Sequence, residues 1–124
     1  MDVHSAMTPA VVTVGPNHTL QQAAQKMAEH NVGSAVIVDP DGQGPGIITE
    51  RDMLRAVAKG EDPSLAVVGD YLTEDATVCE PTASLVEAAG AMIRGGFRHV
   101  VIVDGGRVVG ILSMRDVVRR WLQD

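Results

Sequence analysis

The chain repeats itself, and this internal repeat limits its possible folds more than any other feature. A shift of 65 positions aligns the first half with the second half. The aligned identical residues include Thr8 and Thr73, Pro16 and Pro81, Leu20 and Leu85, Ala23 and Ala88, Ala24 and Ala89, Met27 and Met92, and the segments 36–39 and 101–104. After one extra residue the shift becomes 64, and GIITERD at 46–52 aligns with GILSMRD at 110–116. The sequence therefore predicts two copies of one structural unit.

Each copy has the pattern of a β-α-β-β-α unit. Short apolar runs at 11–14 and 76–79 precede a Pro and a Thr or Ser that can cap a helix. Apolar residues then recur at helical spacing, so they share one face that we expect to be buried. They are Leu20, Ala23, Ala24 and Met27, matched by Leu85, Ala88, Ala89 and Met92.

The second half of each copy predicts a hairpin followed by a helix. Unbroken apolar runs at 35–38 and 100–103 are typical of strands covered on both faces. Turns rich in Gly and Asp, at 39–46 and 104–110, lead into antiparallel partners at 46–49 and 108–113. A sheet of about three strands rarely stands alone, so we expect the copies to pack together as one module. The predicted boundaries are residues 1–58 for the first repeat, 59–65 for a linker and 66–124 for the second repeat.

Composition makes several kinds of protein poor candidates. Sixteen acidic and ten basic residues give a net charge of -6, and the aromatic residues are few, so nucleic acid is a poor candidate partner. No stretch approaches the roughly 20 apolar residues of a membrane helix, and the opening residues lack the pattern of a signal peptide. Cys79, the only cysteine, cannot form an internal disulfide, which fits a reducing compartment. We expect a soluble, cytoplasmic protein that does not bind membranes.

Both copies place a hydroxyl and a carboxylate three residues apart where a strand becomes a helix. The pairs are Thr49 with Asp52 and Ser113 with Asp116. In one interpretation they are capping boxes that stabilise the helix start. In the other, the helix N-terminus and the hydroxyl bind a phosphate while the carboxylate accepts hydrogen bonds from a ribose. The two interpretations are compatible.

The order of these motifs, present twice, resembles the CBS domain family over nearly the whole chain. The resemblance rests on the opening MTP, the helix, FRHVVIVD at 97–104 and both segments of the type Gly, two apolar residues, Thr or Ser, any two residues, Asp. It implies an α/β (α+β) fold in which two repeats pack about a pseudo-twofold axis and leave two clefts for adenosine-containing ligands. By similarity, Asp52 and Asp116 would hold ribose, and Thr49 and Ser113 would bind phosphate.

The resemblance also implies that each cleft draws on both repeats. The first expected site comprises Ile47, Thr49, Asp52, Ala76, Thr77, Arg98 and His99. The second comprises Val12, Val32, Gly33, Ser34, Ile111, Ser113 and Asp116. Because Arg98 and His99 align with Gly33 and Ser34, we expect the Asp52 site to bind phosphate better. Alternatively, Arg98 is a solvated or ion-paired charge, and His99 is a capped or core imidazole.

The leading hypothesis is a regulatory module without catalytic activity that senses AMP, ADP, ATP or NAD. S-adenosylmethionine ranks lower because it offers no phosphate to Arg98. The alternative is a structural or interaction module with empty clefts, and in either case we expect a homodimer. The histidines show no metal-ligand spacing, and we expect Cys79 to be a packed thiol. The sequence does not encode the downstream partner.

Overall fold

The computed structural model of the chain describes residues 1–9, 12–38, 45–74 and 76–123. Its described residues form six strands and four α-helices in the predicted order. The first copy contains β1 Thr13–Val14, α1 Leu20–Glu29, β2 Ser34–Ile37, β3 Gly46–Thr49 and α2 Glu50–Ala58. The second contains β4 Val78–Cys79, α3 Leu85–Gly95, β5 His99–Asp104, β6 Arg107–Ser113 and α4 Met114–Leu122. Short 3-10 helices span Val3–Ser5 and Val68–Asp70. The predicted turn at 39–46 falls mostly outside the described residues.

The strands form two mixed sheets of three strands with the same topology. In the order β1-β2-β3, β1 runs parallel to β2, and β2 runs antiparallel to β3. The second sheet repeats this arrangement as β4-β5-β6. The predicted α/β class is therefore confirmed, with one helix between the parallel strands and one after the hairpin.

The chain divides into two compact units. The first unit is Val12–Ala76, and the second combines Met1–Val11 with Thr77–Asp124. The predicted boundaries at 1–58, 59–65 and 66–124 describe repeats along the sequence and stay a prediction. The compact units combine pieces of chain differently, because residues 1–11 belong to the unit formed by the second half.

Each unit packs helices against one face of its sheet. The predicted helix faces are confirmed: Leu20, Ala23 and Met27 are buried in the first unit, although Ala24 is only partly buried. Their equivalents in α3 are all buried. Capping explains where these helices begin, because the Thr19 and Ser84 hydroxyls accept hydrogen bonds from the third backbone N–H of α1 and α3.

Two equivalent segments, residues 3–8 and 68–73, each complete one core, and we call them the opening segments because each precedes the first strand of a repeat. Val3 and Val68 are both fully buried, the first in the second unit and the second in the first unit. The segment then runs beside the last strand of the sheet: Thr8 exchanges two backbone hydrogen bonds with Ile111, and Thr73 does the same with Ile47. Each sheet thereby gains a fourth, very short chain segment at its β3 or β6 edge.

Glycine permits this close approach. A Cβ atom on Gly110 would lie 2.9 Å from the Thr8 carbonyl oxygen, and one on Gly46 would lie 3.1 Å from Leu72 Cδ1. The absence of a side chain at these two equivalent positions therefore lets the opening segment reach the strand edge. Among the described residues, no helix is long and apolar enough to cross a membrane.

Candidate functional site

In the first unit, the junction between β3 and α2 is a complete capping box. The Asp52 N–H donates to Thr49 Oγ1 at 3.2 Å, and the Thr49 N–H donates to Asp52 Oδ2 at 2.9 Å. The Thr49 hydroxyl also donates to the same oxygen at 3.1 Å. Asp52 is half-buried, and the described hydrogen bonds to its carboxylate use Oδ2 alone. The capping interpretation of this motif is therefore confirmed.

The junction between β6 and α4 has the same box and further contacts. The Asp116 N–H donates to Ser113 Oγ at 3.1 Å, and the Ser113 N–H donates to Asp116 Oδ2 at 2.9 Å. In addition, the Thr8 hydroxyl lies 3.2 Å from Oδ1 and 3.3 Å from Oδ2. Arg119 Nη1 lies 3.3 Å from Oδ1. Asp116 is 4% exposed, so this carboxylate is buried among its own donors.

Both junctions combine the groups that bind a sugar phosphate. The first turn of each helix carries the positive end of the helix dipole, which favours an anion. Its first and third N–H groups are hydrogen-bonded within the chain. A hydroxyl and a carboxylate lie beside it, and a carboxylate can accept two hydrogen bonds on each oxygen. At Asp52 the two capping contacts use part of this capacity, and at Asp116 the capping contact together with Thr8 and Arg119 uses more of it.

Strand alternation places those expected ligand residues that lie in β2, β3, β5 and β6 on one face of each sheet. Ile48 and Leu112 point into the helix-packed cores, so their neighbours Ile47 and Ile111 face the opposite side. Ser34 pairs with Thr49 in the first sheet, and His99 pairs with Ser113 in the second. Each unit therefore carries a hydroxyl N-cap with a polar cross-strand neighbour on this face.

The two expected sites each have residues in both units, and their assembly stays a prediction. The structure places Ile47, Thr49, Asp52 and Ala76 of the first site in the first unit, with Thr77, Arg98 and His99 in the second. Of the second site, it places Val12, Val32, Gly33 and Ser34 in the first unit, with Ile111, Ser113 and Asp116 in the second. Val12 is buried in the core of the first unit, and Val32 packs against that core. Their side chains therefore pack with the core of that unit.

Arg98 directly precedes β5 and His99 begins it, beside the start of α4. The Arg98 carbonyl accepts a hydrogen bond from the Met114 N–H at 2.9 Å, which fixes the backbone there. The Arg98 side chain is exposed, and the described residues include no carboxylate within ion-pair distance of it. His99 is half-buried. The Arg98 guanidinium is thus accessible to an anion.

Thr8 and Arg119 are site residues that sequence reasoning missed. Thr8 is distant from Asp116 along the chain, and only its identity with Thr73 in the repeat alignment could have drawn attention to it. Arg119 aligns with Arg55 at the shift of 64, three residues after the acid in each motif. The alignment marks both positions, but it does not indicate which acid the opening segment would contact.

Cys79 and possible metal ligands were the other candidate groups in the sequence. Cys79 lies in β4, packs against the core of the second unit, and burial raises the pKa of its thiol. Within the described ranges, no three His, Cys, Asp or Glu side chains cluster closely enough to hold a metal ion.

Curated relatives match almost the whole chain. The CBS domain-containing protein YhcV of Bacillus subtilis is 36% identical over 116 residues, covering 93% of this chain and 81% of YhcV. An uncharacterized protein of Methanocaldococcus jannaschii is 36% identical over 117 residues, covering 94% of this chain. This chain spans 41% of the archaeal protein, so some relatives are much longer.

A solved structure and a family model agree with these relatives. The CBS domain protein PAE2072 of Pyrobaculum aerophilum, solved in complex with AMP, superimposes with a TM-score of 0.83 at 27% identity over the full length of both chains. The CBS domain model matches residues 2–59 and again 68–122. The chain belongs to the CBS domain family and carries the domain twice.

Proposed function

We propose that this chain is a regulatory module that binds an adenine nucleotide at its two hydroxyl–carboxylate motifs. The observation that carries the proposal is the equivalence of the two helix starts. Each holds a hydroxyl and a carboxylate at a helix N-terminus, at one end of a sheet. A ribose phosphate needs an acceptor pair for its two hydroxyls and donors for its phosphate, and each motif supplies both.

The ligand class follows from the chemistry of the motif and from a relative. PAE2072 is complexed with AMP, and it matches this chain from end to end. AMP, ADP, ATP and NAD all carry an adenosine ribose and at least one phosphate. S-adenosylmethionine shares the ribose but lacks the phosphate, so we rank it below the nucleotides.

We propose that the Asp52 site is the better phosphate site. In this proposal Asp52 binds the ribose, Thr49 and the start of α2 bind the phosphate, and Ile47 contacts the adenine. The exposed Arg98 guanidinium, with His99, Ala76 and Thr77, completes the site as the family resemblance implies. The equivalent Asp116 site would use Ser113, Ile111, Val12, Val32, Gly33 and Ser34.

Calorimetric titration of the full chain with AMP, ADP, ATP and NAD tests the proposal. Asp52→Asn and Asp116→Asn keep the size of the side chain and one carbonyl acceptor for the capping box, but they remove the charge. Glu87→Gln is the matched control, because Glu87 also stands three residues after a hydroxyl N-cap, Ser84, at the start of α3. Circular dichroism confirms that each variant is folded.

We expect micromolar affinity, about -8 kcal/mol, for at least one nucleotide. Asp52→Asn should remove the tighter binding event, whereas Glu87→Gln should bind like the unmodified chain. If the folded chain releases no heat and displaces no fluorescent adenine analogue with any of the four ligands, nucleotide sensing is wrong.

A second candidate function is dimerisation without a ligand, and an apolar surface on α4 favours it. Val117 is buried in its own unit, but Val118, Trp121 and Leu122 are 47%, 48% and 82% exposed. A groove along the helix is lined by Met114, Arg115, Val118, Arg119, Leu122 and Gln123. Sedimentation velocity of the unmodified chain and Leu122→Glu tests this role. A dimer that Leu122→Glu dissociates, in a chain that binds no nucleotide, would favour it over sensing.

Regulation would require a downstream protein that binds the ligand-bound state of this chain differently from the ligand-free state. We propose that the chain acts on such a partner in the cytoplasm and performs no chemical step on the nucleotide. Incubation of the chain with ATP, followed by chromatography of the nucleotide, checks the second point. Recovery of unchanged ATP is expected, and ATP turnover above a heat-denatured control would make the chain an enzyme.

A further inference from the structure

The two carboxylates of the proposed nucleotide sites are not equally available. The Asp116 carboxylate has three donors: the Thr8 hydroxyl, which lies within hydrogen-bond distance of both oxygens, Arg119 Nη1 at Oδ1, and the Ser113 N–H at Oδ2. A carboxylate has about four acceptor sites, so the chain's own groups leave about one of them, whereas a ribose diol needs two. At Asp52 the described bonds go to Oδ2, and the side chain is more exposed.

The difference arises from one side chain of the opening segment. Thr8 and Thr73 are equivalent in the repeat, and their backbones make the same pair of hydrogen bonds with Ile111 and Ile47. The Thr8 hydroxyl nevertheless reaches Asp116, whereas the exposed Thr73 side chain makes no described hydrogen bond to Asp52. The same backbone pairing thus brings the Thr8 hydroxyl into contact with Asp116, whereas Thr73 makes no described hydrogen bond with Asp52.

We propose that Thr8 is a selectivity residue that makes the two nucleotide sites unequal, because its hydroxyl occupies the Asp116 carboxylate and competes with a ribose for it. A diol that binds Asp116 must displace the Thr8 hydroxyl, while a diol that binds Asp52 displaces no equivalent group. The chain therefore fills the Asp52 site first, and the Asp116 site responds only at higher nucleotide concentration. Thr8 lies outside the motifs that bind the nucleotide, so it acts through Asp116.

Arg119 contributes less to this effect. Its guanidinium contacts Asp116 Oδ1, but the side chain is 57% exposed, and an exposed ion pair is weak and easily rearranged. Its equivalent, Arg55, makes no described ion pair with Asp52. The Thr8 hydroxyl is the stronger determinant because the paired backbone of the opening segment holds it in place.

The test isolates the Asp116 site in the full chain. AMP is titrated into Asp52→Asn and into Asp52→Asn combined with Thr8→Val, which removes the hydroxyl but keeps the branched shape and the backbone pairing. A third variant, Asp52→Asn with Thr8→Ser, restores a hydroxyl. The mirror experiment combines Asp116→Asn with Thr73→Val.

Thr8→Val is expected to tighten AMP binding at the Asp116 site about threefold to tenfold, as the loss of one competing hydrogen bond predicts. Thr8→Ser should restore the weaker affinity, and Thr73→Val should change nothing at the Asp52 site. Unchanged or weaker binding in Thr8→Val would overturn the role of Thr8.

This inference rests on the proposed function, and the two can fail separately. If the unmodified chain binds AMP but Thr8→Val has no effect, only the role of Thr8 is wrong. If the unmodified chain binds no nucleotide at all, the proposed function fails and the role of Thr8 fails with it.

Discussion

Two helix starts in this molecule share a sequence motif and a capping geometry but differ in what surrounds them. At α2, Thr49 and Asp52 form a capping box whose carboxylate is half-buried. At α4, Ser113 and Asp116 form the same box, but the carboxylate also contacts Thr8 and Arg119 and is almost completely buried. A repeated motif therefore establishes repeated local structure, while the availability of each copy for a ligand depends on chain segments far away in sequence.

The largest expected effect separates the two acids by their structural roles. Asp116→Ala should lower the free energy of unfolding by about 2–3 kcal/mol, because it leaves the Ser113 N–H and the Thr8 hydroxyl without their buried acceptor. Asp52→Ala should cost about 1 kcal/mol, the typical value for loss of a helix cap. Urea denaturation of both variants measures the difference. Equal losses would mean that the extra donors at Asp116 add no stability.

Substitution of Gly46 and Gly110 tests how closely each opening segment packs against its strand edge. Gly110→Ala should cost about 2 kcal/mol, because its new methyl group meets the Thr8 carbonyl oxygen, a backbone atom that cannot move easily. Gly46→Ala should cost less than about 1 kcal/mol, because its methyl group meets the end of the Leu72 side chain. Thermal unfolding of the two variants gives the order. A larger loss for Gly46→Ala would contradict the packing described for the second unit.

The unequal charge near the two sites predicts an effect on affinity. Arg98→Gln should weaken AMP binding roughly tenfold, about 1.4 kcal/mol, through the loss of one charge-assisted hydrogen bond to phosphate. Arg107→Gln, which removes an exposed arginine at the far end of the same hairpin, is the control and should bind normally. If both variants lose affinity equally, the effect of Arg98 is one of net charge, and its direct contact with phosphate is excluded.

The smallest effect concerns Cys79, which aligns with Val14. Cys79→Val should change stability by less than about 1 kcal/mol, because the residue packs against the same kind of helix-covered core. Burial raises the pKa of the thiol. The stability that the protonated Cys79 thiol contributes is therefore fully present below the ordinary thiol pKa of about 8.5. It is lost as the pH rises through the higher pKa of the folded state, so the free energy of unfolding falls over this range. Denaturation between pH 7 and 10 should show this loss in the unmodified chain and a smaller one in Cys79→Val.

Sequence was sufficient for the parts of the fold that depend on local patterns. Periodicity predicted the buried faces of α1 and α3, and the spacing of Thr49 and Asp52 predicted a capping box. These features depend on residues within a few positions of one another. The internal repeat then predicted that each of these helices and capping boxes occurs in both copies.

The long-range arrangement was beyond such patterns. Nothing near Val3 or Thr8 in the sequence indicates that the opening segment completes the unit formed by the second half of the chain. Its position depends on which strand edge is available and on the space beside Gly110, and both are properties of the folded unit. The contact between Thr8 and Asp116 therefore became visible only in the structure.

Titration with AMP, followed by two-dimensional NMR of the backbone amides, tests the central claim most directly, because it reports on each helix start separately. We expect the amide signals of residues 49–52 to shift at a lower AMP concentration than those of residues 113–116, with both sets saturating. Signals that stay in place at both helix starts, or saturation of residues 113–116 first, would contradict the account of two unequal nucleotide sites.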